Sequence, residues 1–298
     1  MTIEYKKFEE NNNSNAKVLS IKITHKCNLR CPYCYENAGK EKENEITLED
    51  IKAMIDIVKP ANSIDFSGGE CLTKYDLVVA AKDYAFTKTN RLRIATNGTI
   101  PININDFYPV PKGKSLAFCV SLDGFKEDHD KNRGQGTFQQ TLDFSRELIQ
   151  RGIPVVVSSV TPFHYYDNDA ELLKKFHNFL ISFGFIRHSN GVPSSLGRGQ
   201  SFKENLDLKF KSIDLFRDLK IDNRTCINCG IPYFQKGETP RTVPIDSQGY
   251  VRPFCQLLDK QLFHYTEYTN EKYSQEMNKL FHEQEYGYRN GAWIGCND

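Results

Sequence analysis

Residues 18–39 decide how the rest of the chain is organised, and they read VLSIKITHKCNLRCPYCYENAG. The apolar start predicts a buried β-strand that runs directly into a loop with three thiols, Cys27, Cys31 and Cys34. The spacing C-x3-C-x2-C lets three thiolates bind three corners of an iron–sulfur cube and leaves the fourth iron without a protein ligand. A zinc knuckle or a disulfide staple is the alternative, but zinc takes four ligands and only His25, on the strand side, is nearby.

The composition is that of an ordinary globular protein. The 298 residues include 39 Lys and Arg against 38 Asp and Glu, a net charge of +1, so no global field favours a nucleic acid or an anionic membrane. The first residues contain no apolar signal segment, and no stretch approaches the roughly 18 apolar residues of a membrane span. The nine cysteines, an odd number in two close-spaced sets, indicate reduced metal ligands in the cytoplasm.

Strands and helices alternate along the first 200 residues, which predicts a parallel sheet. We expect an α/β fold, a partial (β/α)6 TIM-like barrel over residues 1–200, followed by a small cysteine-rich domain over 201–298. After the first strand, the predicted strands are 63–67, 92–96, 116–121, 155–160 and 185–188, and the predicted helices are 47–59, 75–87, 137–151 and 170–183.

Polar motifs follow several of these strands, where barrel enzymes place their chemistry. Gly68-Gly69-Glu70 follows the second strand: glycines let the backbone approach a ligand, and the Glu70 carboxylate can bind an ammonium group. Asn97 ends the third strand, and Ser121 and Asp123 end the fourth, with side chains that can bind ribose hydroxyls. Turn capping is the alternative for each of them.

The cysteine loop, with Tyr33 just before its last cysteine, resembles the radical SAM superfamily. The resemblance implies a [4Fe–4S] cluster on Cys27, Cys31 and Cys34 that binds S-adenosylmethionine (SAM) through its open iron. Gly68-Gly69-Glu70 is similar to the family's motif for the methionine amino group. Arg133 stands where relatives carry an arginine near the SAM carboxylate; the alternative is a solvated charge in a loop.

The stretch 120–134 resembles peptide-modifying members with an extra cysteine domain, called SPASM or, in shorter form, twitch. Four cysteines after residue 200 fit one auxiliary [4Fe–4S] cluster, and a zinc site made of the same thiolates stays open. The sequence departs from the usual spacing by one residue between Gly249 and the third of these cysteines. The four are Cys226, Cys229, Cys255 and Cys296.

The resemblance implies reductive cleavage of SAM to a 5'-deoxyadenosyl radical, which abstracts a hydrogen atom from a ribosomally made peptide or protein. Flavodoxin or ferredoxin would supply the electron. Only some 17 residues precede the first strand, too few for a folded leader-binding module of about 50 residues, so we expect a peptide to be recognised by a separate leader-binding protein or by the mouth of the barrel. A radical enzyme for a small biosynthetic intermediate is the alternative, and a zinc-stabilised binding protein without enzymatic activity is the alternative of another class.

Two further thiols lie on the predicted barrel. Cys71 follows Glu70 at the open end and is a candidate hydrogen donor to a substrate radical. Cys119 alternates in phase with Ser121 and should point into the barrel. Buried free cysteine more often fills space as a small hydrophobe, which is the alternative for both residues.

Overall fold

The computed structural model describes residues 18–58, 61–191, 197–201, 219, 222–223, 242–253, 261–282, 287–289 and 292–294. Within these ranges one sheet has ten strands in the order β10-β9-β8-β1-β2-β3-β4-β5-β6-β7, and β11 pairs with β12. Strands β1 to β6 are consecutive neighbours, and each pairs in parallel with the next. This is the predicted succession of β/α units.

The parallel strands alternate with helices that cover one face of the sheet. The central strands are β1 (Val18–Lys22), β2 (Ser63–Ser67), β3 (Arg91–Thr96), β4 (Ser115–Ser121), β5 (Val155–Val160) and β6 (Arg187–Gly191). The helices are α1 (Leu48–Ile57), α2 (Tyr75–Lys88), α3 (Lys126–Arg133), α4 (Thr137–Gln150), α5 (Glu171–Phe183) and α6 (Asn270–His282). The outer strands are β7 (Asp222–Asn223), β8 (Thr242–Ile245), β9 (Tyr250–Val251), β10 (Phe263–His264), β11 (Gly287–Arg289) and β12 (Ala292–Ile294).

Strand alternation divides the sheet into an apolar face and a polar face. Leu19 and Ile21 of β1 are fully buried in the main hydrophobic core, as are Phe66 of β2 and Phe118 of β4. Residues of opposite phase, such as Asp65 of β2, lie on the other face. The helices therefore cover the apolar face, and the polar face is left for the inside of the partial barrel.

Local signals placed two helix ends correctly. Thr47 and Asp50 form a capping box at the start of α1, in which the Thr47 hydroxyl accepts from the Asp50 amide and the Asp50 carboxylate accepts from the Thr47 amide. Gly184 ends α5 in a left-handed conformation with φ of +109°. Glycine reaches this region without steric cost, so both predicted ends are confirmed.

Two elements differ from the prediction. Helix α3 was not predicted, because its sequence KEDHDKNR contains no apolar residue from which to read a period. Strand β6 spans Arg187–Gly191 and not 185–188. The Phe185 amide still donates to Leu180 O at 3.2 Å, and its ring stacks on Phe183 at 5.0 Å, so Phe185 belongs to the end of α5.

Strands from the C-terminal region continue the same sheet. Strand β8 pairs in parallel with β1, with Ile21 opposite Ile245, and β7 pairs with β6. Strands β8 and β9 form an antiparallel hairpin whose Asp246 Oδ1 accepts from the Gln248 and Tyr250 amides. The boundary at residue 200 stays a prediction. None of the helices in the described ranges has the length and apolar character to cross a bilayer.

Candidate active site at the carboxyl edge of the sheet

The cysteine loop, residues 27–39, is closed at its base by main-chain hydrogen bonds. The Cys27 amide donates to Gly39 O at 2.9 Å, and the Gly39 amide donates to His25 O at 3.0 Å. Cys31 is buried, while Cys27 and Cys34 are half-buried, and all three thiols are free. The loop therefore carries three unpaired sulfurs in one enclosed turn at the carboxyl end of β1.

The surroundings of the sulfurs suit thiolates that bind iron. Burial raises the pKa of Cys27 and Cys31, but the Leu29 amide donates to Cys27 Sγ at 3.4 Å, and the Arg133 and Arg198 guanidinium groups lower the pKa of Cys31. Cationic neighbours and amide donors favour the deprotonated sulfur. Among the residues the structure describes, no three His, Cys, Asp or Glu side chains surround one position for a single metal ion. The three-thiol donor set fits a cluster with one open iron.

Gly68 and Gly69 make room for the main chain of the cysteine loop. A Cβ on Gly68, which has φ of +147°, would lie 2.5 Å from Thr24 O, and one on Gly69 would lie 2.4 Å from Lys26 O. The Gly69 and Glu70 amides donate to these two oxygens, each at 2.8 Å. The close approach that the glycines permit here is to the protein's own backbone. The motif thus attaches the end of β2 to the entry of the cysteine loop.

The Glu70 carboxylate is buried and already holds three donors. Oε1 accepts from the Leu72 amide at 3.1 Å and from the Thr96 hydroxyl at 2.8 Å, and Oε2 accepts from the Asn97 amide at 2.6 Å. Burial raises the pKa of Glu70, and these donors counteract the shift. Since a carboxylate has about four acceptor positions, one remains on Oε2. The predicted binding of an ammonium group stays a prediction, and the carboxylate retains the capacity for it.

Asp123 and Arg133 are paired with each other. Arg133 binds Asp123 through Nε and through Nη2, the latter at 3.0 Å from Oδ1, and the Val160 amide donates to Oδ1 at 2.9 Å. The Tyr33 hydroxyl donates to Oδ2, and the Arg133 guanidinium lies 5.8 Å from the centre of the Tyr33 ring. All acceptor positions of Asp123 are therefore occupied by protein donors. The roles predicted for these two residues, towards ribose and the SAM carboxylate, stay predictions and require that the pair opens.

The pKa values of Arg133 and of its neighbour His129 are shifted in opposite directions. Burial alone would lower the pKa of Arg133, but the Asp123 carboxylate outweighs it and raises that pKa. His129, on α3, accepts at Nδ1 from the Asp123 amide at 3.2 Å, and burial lowers its pKa to about 4. Arg133 therefore stays charged and His129 stays neutral, and both are hydrogen-bonded to Asp123.

Asn97 connects the end of β3 to the cysteine loop. Its Nδ2 donates to Asn28 Oδ1 at 2.8 Å, and its Oδ1 accepts from the Thr99 amide at 2.9 Å. Ser121 is half-buried at the end of β4. Their predicted contacts with ribose stay predictions, but both residues lie at the edge that carries the cysteine loop.

The two candidate core thiols are both buried. Cys71 Sγ donates to Ala95 O at 3.0 Å, and burial raises its pKa well above the usual value. Cys119 is also buried, in opposite phase to Phe118 and Val120, which belong to the main hydrophobic core. The predicted direction of Cys119 agrees with this alternation. A catalytic role for Cys71 stays a prediction, and its thiol faces the main chain of β3.

Sequence reasoning missed Arg198, which lies in the turn Gly197–Ser201 after β6 and contacts the cysteine loop. Its Nε donates to Cys31 O at 2.9 Å. The only signal in the sequence is the glycine before it, in the string Gly197-Arg198-Gly199, and this does not indicate which residues Arg198 contacts. The second cysteine set, Cys226, Cys229, Cys255 and Cys296, lies outside the described residues.

A polar pocket opens beside the loop at the carboxyl ends of β8, β1 and β2. Lys22 and Glu36 form an ion pair on one side of it, and Arg252 with Asp246 forms another. Ligands of open α/β sheets commonly bind at this edge. The cysteine loop, Gly68-Gly69-Glu70 and the pocket thus share one location.

The chain is similar in sequence to enzymes of several activities. It is 39% identical over 140 residues to Fe-coproporphyrin III synthase of Methanosarcina barkeri, which covers 45% of this chain and 34% of that protein. It is 26% identical over 266 residues to the sporulation killing factor maturation protein SkfB of Bacillus subtilis, which covers 83% of this chain and 62% of SkfB. The chain therefore spans about a third and about three fifths of these two relatives.

Solved structures with the same fold include Streptococcus suis SuiB bound to its precursor peptide SuiA. The TM-score is 0.66 at 16% identity, covering 93% of this chain and 69% of SuiB, so this likeness concerns the fold. Residues 21–177, more than half of the chain, match the sequence profile of the Radical SAM superfamily. With its three-thiol loop at the carboxyl edge of a parallel sheet, the chain belongs to the radical SAM superfamily.

Proposed function

We propose that this chain is an enzyme that cleaves SAM reductively to a 5'-deoxyadenosyl radical and abstracts a hydrogen atom from a ribosomally made peptide or protein. The observation that carries the proposal is the extent of the similarity. The match to SkfB, named as a maturation protein, covers 83% of the chain, whereas the family profile ends at residue 177. Substrate choice depends on the parts added to a shared fold, and the similarity to SkfB extends beyond the region that the family profile matches.

The residues of this chain have distinct tasks in the proposal. Cys27, Cys31 and Cys34 would hold the [4Fe–4S] cluster, which supplies the electron and an open iron for the amino and carboxylate groups of SAM. Glu70 offers its remaining acceptor position to the SAM ammonium. The buried Asp123–Arg133 pair keeps Tyr33 against the end of β4, which encloses the loop and excludes water.

A second, auxiliary [4Fe–4S] cluster is part of the proposal, held by Cys226, Cys229, Cys255 and Cys296. The hairpin of β8 and β9 supports it, since the Arg252 amide donates to Pro244 O at 2.9 Å and Cys255 follows three residues later. Two clusters predict about eight irons per chain, and Cys296→Ala should lower this by about four. Zinc bound at these four thiols would contradict the proposal of an auxiliary cluster.

Two protein partners are part of the proposal. A flavodoxin or ferredoxin would deliver the electron, and a separate leader-binding protein would present the peptide. The five described cysteines are all free, which agrees with the reducing cytoplasm that we propose as the location.

Anaerobic reconstitution with iron and sulfide tests the enzymatic activity. With reductant and SAM, the wild type should form 5'-deoxyadenosine, and the variant with Cys27, Cys31 and Cys34 all changed to Ala should not. The variant Cys119→Ala is the matched control, because it removes a cysteine from the same sheet without touching the loop. Equal SAM cleavage by the triple variant would contradict the assignment of these thiols.

A small-molecule substrate is the second candidate, favoured by the 39% identity to Fe-coproporphyrin III synthase. Mass spectrometry of reactions with peptides encoded beside the gene separates the two. A mass change in such a peptide, dependent on SAM and reductant, supports the peptide substrate. A change found only in an added porphyrin or another small molecule supports the second candidate.

A further inference from the structure

The turn Gly197–Ser201, which follows β6, is hydrogen-bonded to the cysteine loop, which follows β1. The Arg198 amide donates to Cys34 O at 3.0 Å, and its Nε donates to Cys31 O at 2.9 Å. Its Nη1 donates to Ala38 O at 2.6 Å and to Asn37 Oδ1 at 3.2 Å. One residue thus binds both halves of the loop that carries the three thiols.

Gly197 is required for this approach. It has φ of +57°, and a Cβ at this position would lie 2.3 Å from Tyr35 O and 2.4 Å from Cys34 O. These are main-chain atoms, so no side chain could turn away to make room. The contact between the turn and the loop therefore depends on a glycine followed by an arginine.

The contact also joins opposite walls of the partial barrel. Strands β1 and β6 are separated by four other strands in the sheet, so residues that follow them meet only because the sheet curls. Charged donors on main-chain carbonyls form hydrogen bonds that are stronger than neutral ones. Arg198 therefore holds the cysteine loop from the side opposite Gly68 and Gly69, which hold its entry.

The charge of Arg198 has no carboxylate partner in the described part of the chain. Among the described residues, its side-chain acceptors are two main-chain carbonyls and one amide oxygen. Arg133, the other cation near Cys31, is paired with Asp123. A fixed positive charge beside a cluster stabilises its reduced and more negative state.

We propose that Arg198 is a positioning residue, which holds the cysteine loop in its cluster-binding shape before the cluster is present and favours cluster reduction by its charge. The second half rests on the proposed function, since it requires a cluster on Cys27, Cys31 and Cys34. The first half concerns the protein alone.

Amide hydrogen exchange of the iron-free protein tests the loop shape. In Arg198→Gln, exchange in peptides that cover 27–39 should become at least about tenfold faster, because charge-assisted hydrogen bonds that close the loop are lost. Gly197→Ala should give the same increase. Arg146→Gln, a change on the surface of α4, and Gly152→Ala, a glycine with φ of +77° and no atom within 4 Å of the added Cβ, are the matched controls.

Each outcome of the exchange experiment either supports or overturns the positioning role of Arg198. Exchange of 27–39 that equals the wild type in Arg198→Gln would overturn it, and so would an equal increase over the whole chain, which indicates global destabilisation. The conservative Arg198→Lys has one nitrogen in place of the fork and cannot bind Cys31 O and Ala38 O from separate nitrogens, so its loop should also exchange faster than that of the wild type.

The reduction potential of the reconstituted protein tests the charge. The potential should move to more negative values in Arg198→Gln and stay near that of the wild type in Arg198→Lys. A redox titration monitored by electron paramagnetic resonance measures it. An unchanged potential in Arg198→Gln would overturn this half. If the wild type takes up no iron, the proposed function fails, while the exchange experiment still decides whether Arg198 holds the loop.

Discussion

Removing the charge of Asp123 should destabilise the protein strongly. In Asp123→Asn the Arg133 guanidinium stays buried, with its side chain 10% exposed, and loses the carboxylate that binds it through two nitrogens. Breaking a buried ion pair by removing one partner costs about 3 to 5 kcal/mol, because the remaining charge is left uncompensated. We therefore expect the free energy of unfolding of Asp123→Asn to fall by this amount.

A second change should recover much of this loss. Arg133→Met removes the orphaned charge with a side chain of similar length, so the double variant should be more stable than Asp123→Asn alone by about 2 kcal/mol or more. Urea unfolding of the iron-free protein, followed by circular dichroism, measures all four members of the cycle. The measurement needs no cluster, so it concerns the pair itself.

The exposed pair Asp143–Arg146 on α4 is the control for the buried one. Asp143→Asn should change stability by no more than about 0.5 kcal/mol, since water screens this pair. The reasoning is refuted if Asp123→Asn costs no more than Asp143→Asn, or if the two changes at Asp123 and Arg133 are simply additive.

Three further predictions concern single residues. Glu70→Gln should weaken SAM binding about 10- to 100-fold by calorimetry, since one charge-assisted bond is lost, and unchanged affinity would reassign Gly68-Gly69-Glu70 to a turn. Burial and the neighbouring His177 lower the pKa of His188 from 6.5 to about 3. Between these two pH values the imidazole is protonated in the unfolded chain and neutral in the folded one. The titration of His188 should therefore lower the free energy of unfolding by about 2 kcal/mol between pH 7 and pH 5, and His188→Gln should reduce the total decrease by this amount. Because the Cys71 thiol is buried against Ala95 O, Cys71→Ala should lower stability by about 1 kcal/mol and retain full activity on the substrate, whereas loss of the product with hydrogen abstraction retained would support a hydrogen donor.

The alternation of strands and helices could be predicted because it depends on neighbours in sequence. The β-branched run 155–160 predicted β5 with the bounds that the structure has, and the apolar stripe of 170–183 predicted α5 with a start one residue too early. Where the local signal was absent or misleading, the prediction failed. Helix α3 has no apolar period, and Phe185 reads as part of a strand although it packs at the end of α5.

The cysteine loop could likewise be found from the sequence alone, because its three thiols lie within eight residues. The spacing by itself indicates a cluster with an open iron, and the polar residues at the strand ends point to the edge of the sheet where a ligand would bind. These inferences need only the order of residues and the parallel direction of the strands.

The partners of the site residues were decided by the tertiary structure. Asp123 was assigned to ribose from its place after β4, but the fold directs Arg133, Tyr33 and the Val160 amide onto both of its oxygens. Arg198 lies more than 160 residues from Cys31, and only the curling of the sheet brings them together. Sequence periodicity reports which face of an element is buried, whereas the side chains that meet across the barrel depend on strand order and curvature, which no local pattern encodes.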